Sequence, residues 1–396
     1  MRPFFVLLLA TAAVAQSGPR LEISHTTESL RGASAVSRQI AWASGTHGTY
    51  LRTTDAGRTW IPAQVPDAAA LDFRAVVAFS ADEAFLMSAG PGDQSRIYHT
   101  SDAGQHWQLQ FTNTNPKGFF DSMVFWDPKH GFVLGDPIAD DTGKLKFELL
   151  ETEDGQTWSQ IPSAQLPEAN TGEGAFAASN TCLAIVPNVA WKSGASAPRQ
   201  AGGEDRALAP EADQNLWFAS GGAVARVFHS PDRGKTWQVF DTPILHGPDS
   251  AGVFSIAFRD PLHGVIAGGN YKRPKDDGPD LAFTDDGGKT WTLAPIKPQA
   301  YFSAVAYDRG VMQAAARQSA DEKAVEQGGK KIRVKPITPE RLFIVGPDFV
   351  FDYHLPNNPH RIGGKRKQGV AFNAVSAFPD GGALVVGPKG TIAFIP

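Results

Sequence analysis

One octapeptide, written five times, constrains this chain more than any other feature. It reads TTDAGRTW from Thr53 to Trp60, TSDAGQHW from Thr100 to Trp107, SPDRGKTW from Ser230 to Trp237 and TDDGGKTW from Thr284 to Trp291. A fifth copy, ETEDGQTW from Glu151 to Trp158, keeps the Gly and the Trp and has Glu153 where the others have Asp. Successive tryptophans lie 47, 51, 79 and 54 residues apart. A period of about 50 residues marks a repeat architecture, and the longest spacing marks an insertion. The motif is built like a turn. The carboxylate of Asp55, Asp102, Asp232 or Asp286 can accept backbone N–H bonds inside a hairpin, a role that falls to Glu153 in the fifth copy. The Gly supplies a positive φ. Trp60, Trp107, Trp158, Trp237 and Trp291 each begin a strand and are expected to pack on the neighbouring repeat.

The same strand order precedes each box. The first unit reads LRGASAV, QIAWASG, TYLRTT, the box, then WIPAQV; the second reads FRAVVAF, EAFLMSAG, RIYHTS, then WQLQFT. Four short strands per repeat, with no long amphipathic helix pattern, predict an all-β chain folded as a β-propeller of four-stranded antiparallel blades. Two further units lack the box. One spans residues 301–362, where the turn has become LPNNPH. The last offers FNAVSAF, GALVVG and TIAFIP and lacks a fourth strand. RLEISHTT, from Arg20 to Thr27, is a strand without a blade. Placing it as the missing outer strand closes a seven-bladed ring and removes a free sheet edge. Six blades is the alternative count. Residues 187–214 and 309–340, rich in Ala, Gly, Pro and charge, are expected to be surface insertions into a single domain spanning 16–396.

Residues 1–15, MRPFFVLLLATAAVA, combine a basic Arg2, an apolar run and an Ala13-Val14-Ala15 cleavage pattern. This predicts a signal peptide cut after Ala15, and a secreted or periplasmic mature protein. The run is too short for a membrane anchor, and no later stretch is long enough to cross a bilayer. The 37 basic and 41 acidic residues are too evenly balanced for a nucleic-acid partner. Cys182 is the single cysteine, which excludes a disulfide framework and a cysteine-built zinc or iron–sulfur site. A monomer without cofactor or metal is expected.

The octapeptide resembles the Asp-box, or BNR, repeat found in sialidases, sortilin-type receptors and some cellulose-active propellers. LRGASAVSRQIAWASGTHGTYLRTTDAGRTW and FSIAFRDPLHGVIAGGNY look most like the photosystem II stability/assembly factor-like family, a likeness that covers the whole mature chain. The resemblance implies a propeller that binds a protein partner and does not catalyse. The two insertions and the lost box of the sixth unit depart from the family pattern.

Catalytic motifs mostly fail. GKTW at Gly234 and Gly288 lacks the first Gly of a phosphate loop, and GEGAFA at Gly172 is not followed by a helix. His130 in WDPKHGF and His263 in RDPLHGV occupy equivalent turns, so they read as repeat features and not as a metal pair. Sialidases carry an Arg-Ile-Pro motif, whereas this chain offers Arg96-Ile97-Tyr98. Antiparallel blades sort the loops onto two faces, with the boxes on one. The other, the loop face, should carry Asp121, Asp136, Glu173, His246, Ser250, Asn270, Tyr271, Lys272 and Tyr301. The leading expectation is a partner protein or extracellular polymer bound there. The alternative is a sialidase-like glycoside hydrolase, or a lyase, using Asp121, Asp136 and Glu173 in the bore.

Overall fold

The computed structural model describes residues 19–186, 214–295, 300–310, 340–347, 349–355 and 370–396. Residues 1–15, read above as a signal peptide, and nearly all of the two expected insertions lie outside these. No helix among the described residues is long and apolar enough to cross a membrane.

The strands of the described residues form seven antiparallel sheets, built mainly of consecutive hairpins. The first holds Leu30–Ala35, Ala41–Gly45, Thr49–Thr53 and Ile61–Gln64. The second runs from Phe73–Ala78 to Gln108–Thr112, and the third from Phe120–Phe125 to Ser159–Gln160. The fourth runs from Leu183–Ala184 to Gln238–Asp241, and the fifth from Ala251–Phe258 to Thr292–Leu293. Each innermost strand lies against that of the next sheet, and Ala374–Ala377 of the seventh lies against Leu30–Ala35 of the first. The fold is a β-propeller.

The blade count needs a correction. Six sheets have four strands or more. The sixth in chain order, Ala304–Tyr307, Glu340–Gly346 and Phe349–Leu355, has three among the described residues. The described residues thus show six blades of four strands or more where seven were expected. Arg20–Glu22 pairs with Thr391–Ile395 and so supplies the fourth strand of the last sheet.

Alternation along the strands puts one row of apolar side chains into each gap between sheets. The box tryptophans bridge these gaps backwards. Trp60 lies 6.4 Å from Phe394 of the last sheet, Trp107 lies 5.1 Å from Tyr50, and Trp237 lies 6.4 Å from Phe132. The Trp158 indole Nε1 donates to Gln110 Oε1 of the second sheet at 3.0 Å. Trp291 packs against a cluster that includes Trp217 of the fourth sheet.

In four boxes the Asp works as the sequence suggests. Asp55 Oδ1 accepts the Thr59 amide at 2.9 Å while the Thr53 hydroxyl accepts the Gly57 amide at 3.0 Å. Asp102, Asp232 and Asp286 repeat this with His106, Thr236 and Thr290. The fifth box differs from the expectation. Its acceptor is Asp154, which takes the Gln156 and Thr157 amides at 2.8 Å each. Glu153 is exposed, 3.6 Å from His130 Nε2. This copy has one residue fewer between carboxylate and Gly. That missing position is the left-handed one, occupied by Ala56, Ala103, Arg233 and Gly287 elsewhere.

Candidate functional site at the loop-face mouth of the bore

Four innermost strands begin with the same irregularity. The ladder to the second strand slips between Leu30 and Gly32, Phe73 and Ala75, Phe120 and Ser122, and Val253 and Ser255. A bulge leaves one residue unpaired and re-aims its side chain. The skipped residues are Arg31, Arg74, Asp121 and Phe254. Each sits at the loop-face end of its strand, because an innermost strand starts on the face opposite the boxes. The bulges therefore gather two cations, a carboxyl and an aromatic ring around one mouth.

A single segment occupies the middle of that mouth. Residues 175–181 run from Glu173–Gly174 to Leu183–Ala184 of the fourth sheet, and groups from several sheets hold them. Asp136 Oδ1 accepts the Ala175 amide at 2.9 Å. Asp121 accepts the Ala177 amide, and Arg74 Nη1 donates to the Ala177 carbonyl at 2.9 Å. Phe176 stacks on Phe254 with ring centroids 3.9 Å apart. The Ser179 hydroxyl donates to the Ser303 carbonyl at 2.8 Å. Asn180, at a φ of 62°, accepts the Met123 amide at 2.6 Å and donates to the Met123 carbonyl at 3.0 Å.

The carboxyls proposed for chemistry are thus divided between structural tasks. Asp121 is buried and its Oδ2 has no hydrogen-bond partner. Burial and the nearby Asp136 hold its carboxyl well above the usual range, against the pull of Arg74. Burial raises Asp136 to about 6, with the Ala175 amide opposing. Glu173 goes elsewhere. Its buried carboxylate pairs with Arg226 and accepts from the Ser220 hydroxyl and the Asn170 amide. Glu173–Gly174 joins Gly221–Gly222 as extra strands on the inner edge of the fifth sheet. The structure brings Asp121 and Asp136 together and turns Glu173 to Arg226.

The other expected residues cluster on one side of the mouth. The Tyr271 amide donates to the Ser250 carbonyl at 3.2 Å, which ties loop 271–280 to loop 242–250. Lys272 Nζ lies 3.3 Å from Asp249 and 5.8 Å from the Tyr271 ring centroid. Asn270 is buried and fixes the turn by accepting the Lys272 amide at 3.0 Å. His246 is exposed, with Nδ1 2.9 Å from the Ile244 carbonyl. Tyr301 is buried edge-on against Phe254 at 4.7 Å. Burial pushes its hydroxyl up, while Arg31 pulls it down. Tyr271 is 47% exposed and 6.1 Å from Phe254.

Sequence reasoning missed Arg31, Arg74, Phe176 and Phe254. Burial lowers the Arg31 guanidinium, and neighbouring Arg74 lowers it further. The Nε of Arg31 has no hydrogen-bond partner. Arg74 is paired with Asp72 at 2.8 Å. The signal for the missed set was the shared place of Arg31 and Arg74, one residue into the first strand of their repeats. The mouth is an aromatic floor of Phe176, Phe254 and Tyr301, bordered by Arg31, Arg74, Tyr271 and Lys272. No group of three or more metal-ligating side chains occurs among the described residues.

No family model matches the chain, and no curated protein matches it. Among solved structures it is similar to YCF48 bound to D1 peptide, with 16% identity, 99% of each chain covered and a TM-score of 0.38. It is also similar to YCF48 from Cyanidioschyzon merolae, with 15% identity, 96% of this chain and 98% of that one covered, and a TM-score of 0.40. The WD40 β-propeller domain of Doa1 matches at 10% identity over 95% of this chain and 96% of that one, with a TM-score of 0.53. This last likeness is one of fold and agrees with the strand topology: the chain is a β-propeller.

Proposed function

We propose that the protein is an exported, non-catalytic propeller that binds a partner protein at the loop-face mouth. The observation that supports this most is the bulge at four innermost strands, which places Arg31, Arg74 and Phe254 beside Tyr271 and Lys272. Aromatic and arginine side chains around a partly desolvated patch are the groups that anchor protein interfaces. The cations and the unpartnered Arg31 Nε suit a segment with an apolar side chain and a carboxylate. The YCF48 structure holds a D1 peptide; for this chain the reading rests on its own surface. The hydrolase or lyase reading has less to stand on, because the Asp121, Asp136 and Glu173 carboxylates each hold backbone or arginine groups.

The finer architecture belongs to the same reading. In it the octapeptide turns are Asp-box repeats, the N-terminal strand closes the ring, and residues 1–15 direct export. An extracellular polymer is the competing ligand. The test is comparative capture from the native exported fraction, with tagged wild type, Arg31→Gln, Tyr271→Ala and Asp286→Ala. One protein should be retained by wild type and by Asp286→Ala, and lost from both mouth variants. A protein lost only with Asp286→Ala, or a polysaccharide retained in place of a protein, contradicts the proposal.

A further inference from the structure

The segment across the loop-face end of the bore is held by two acids from the third sheet. The buried Asp121 carboxyl accepts the Ala177 amide, and Asp136 Oδ1 accepts the Ala175 amide at 2.9 Å. Phe176 lies between the two held amides and stacks on Phe254. The same pair therefore fixes, from both sides, a residue of the aromatic floor. Asp121 is 1% exposed, and its Oδ2 has no hydrogen-bond partner. Asp136 is half-buried and is the nearest source of like charge felt at Asp121.

The surroundings supply little counter-charge. Arg74, from the second sheet, divides its guanidinium between Asp72 at 2.8 Å and the Ala177 carbonyl at 2.9 Å. Glu148, from the third sheet, adds a further negative neighbour, and its oxygens are taken by the Asn113 and Gln160 side-chain amides. Cys182, just before the fourth sheet, is buried with its thiol against Ser122 and the Phe176 backbone. Glu173 is turned away to Arg226. A buried carboxylate with an unmet oxygen and a like charge beside it is destabilised, so it keeps its proton until water reaches it. Burial is accordingly the first cause that raises both acids.

We propose that Asp121 and Asp136 form a proton-operated latch: the bore stays plugged while the pair holds a proton, and residues 175–181 are released once both acids are ionised. The direction follows from linkage. With the segment out, water reaches both carboxyls and they lose their protons at ordinary values. With the segment in, they keep them to higher pH. Each proton kept in this way makes opening roughly tenfold easier per pH unit. Release separates Phe176 from Phe254 and so removes part of the floor of the mouth. That consequence for a partner rests on the function proposed above; the latch itself does not.

Cys182 is a built-in reporter, because it is the single cysteine and lies against the segment. The test is the rate at which N-ethylmaleimide labels it in the full chain, between about pH 5 and about pH 8. Wild type is compared with Asp121→Asn/Asp136→Asn, which keeps an oxygen for each amide and cannot ionise. The reagent's own pH dependence cancels in the ratio of the two rates. That ratio should climb by roughly tenfold or more across the range. The wild-type rate should hardly respond to low urea, since a local opening exposes little surface. If the double variant fails to fold, Asp136→Asn alone should still show a shallower climb than wild type. A ratio flat in pH overturns the proposal. So does a single variant that labels like wild type throughout, or a wild-type rate that climbs steeply with urea, as exposure by global unfolding would.

Discussion

Glu153 and Asp154 are adjacent acids with separate tasks. The shorter box at Glu151 to Trp158 puts Asp154 where it accepts two amides and the Thr157 hydroxyl. Those bonds, the Thr157 amide first, hold its carboxyl below the usual range. Asp154→Ala should lower the melting temperature, and Glu153→Ala should leave it unchanged; thermal denaturation of the two variants decides. Trp60, 2% exposed, fills the gap to the last sheet, so Trp60→Ala should cost about 3–5 kcal/mol. Four carboxyls set a pH dependence of their own. The Thr59 hydroxyl and amide hold Asp55 at about 2, and the His106 amide and ring hold Asp102 at about 2. Their contribution is present above pH 3.8 and lost as pH falls toward 2. Asp136 and Asp280 act in the other direction. Burial raises them to about 6 and about 7, with Asp277 adding to the effect on Asp280. In the window above 3.8 the native state keeps protons that the unfolded chain has released, so stability falls as pH rises through these values. For Asp136 the loss is up to about 3 kcal/mol. Denaturant midpoints across pH should peak at about pH 4–5. Asp136→Asn, which still offers an oxygen to the Ala175 amide, should flatten the decline between pH 4 and pH 6.

At the scale of elements, the N-terminal strand does the most for its size. Arg20–Glu22 pairs with Thr391–Ile395 through only three residues. Its Arg20 also reaches the first sheet, donating to the Ala56 carbonyl at 2.7 Å, and lies over the Phe394 ring at 5.4 Å. Deleting residues 16–28 exposes the edge of Thr391–Ile395 and should bring aggregation or a large drop in melting temperature. A truncated protein that melts like the full one would show that the strand is dispensable. The strands, the boxes and the packing of the tryptophans on a neighbouring repeat were legible because each is local and recurs at a fixed spacing. The single-residue deletion in the box at Glu151 to Trp158 was hidden, because aligning the copies on Gly and Trp puts Glu153 in the wrong register. The bore segment left no such trace. Residues 175–181 have no strand period, and their partners Asp136, Met123, Arg74 and Ser303 lie 39, 57, 103 and 124 residues away in the chain. Nothing local showed that Asp121 and Asp136 each hold a backbone amide of this segment.

For the whole molecule, the central claim is that the bore is closed on its loop face by a fixed segment, so that the mouth is a surface for binding and not an open catalytic channel. The two faces then have separate tasks. The box face carries turn chemistry that stabilises, and the loop face carries the aromatic floor and its cations. Arg31→Gln or Tyr271→Ala should leave the melting curve nearly unmoved, whereas box variants should shift it. The claim itself is read most directly by amide hydrogen exchange over residues 174–182. The account predicts that the Ala175 and Ala177 amides are protected to the same degree as those of the innermost strands. Protection at both should fall in Asp121→Ala and Asp136→Ala. Exchange of this segment as fast as an exposed loop, unaffected by either substitution, would contradict it and return both carboxylates to the list of groups free for chemistry.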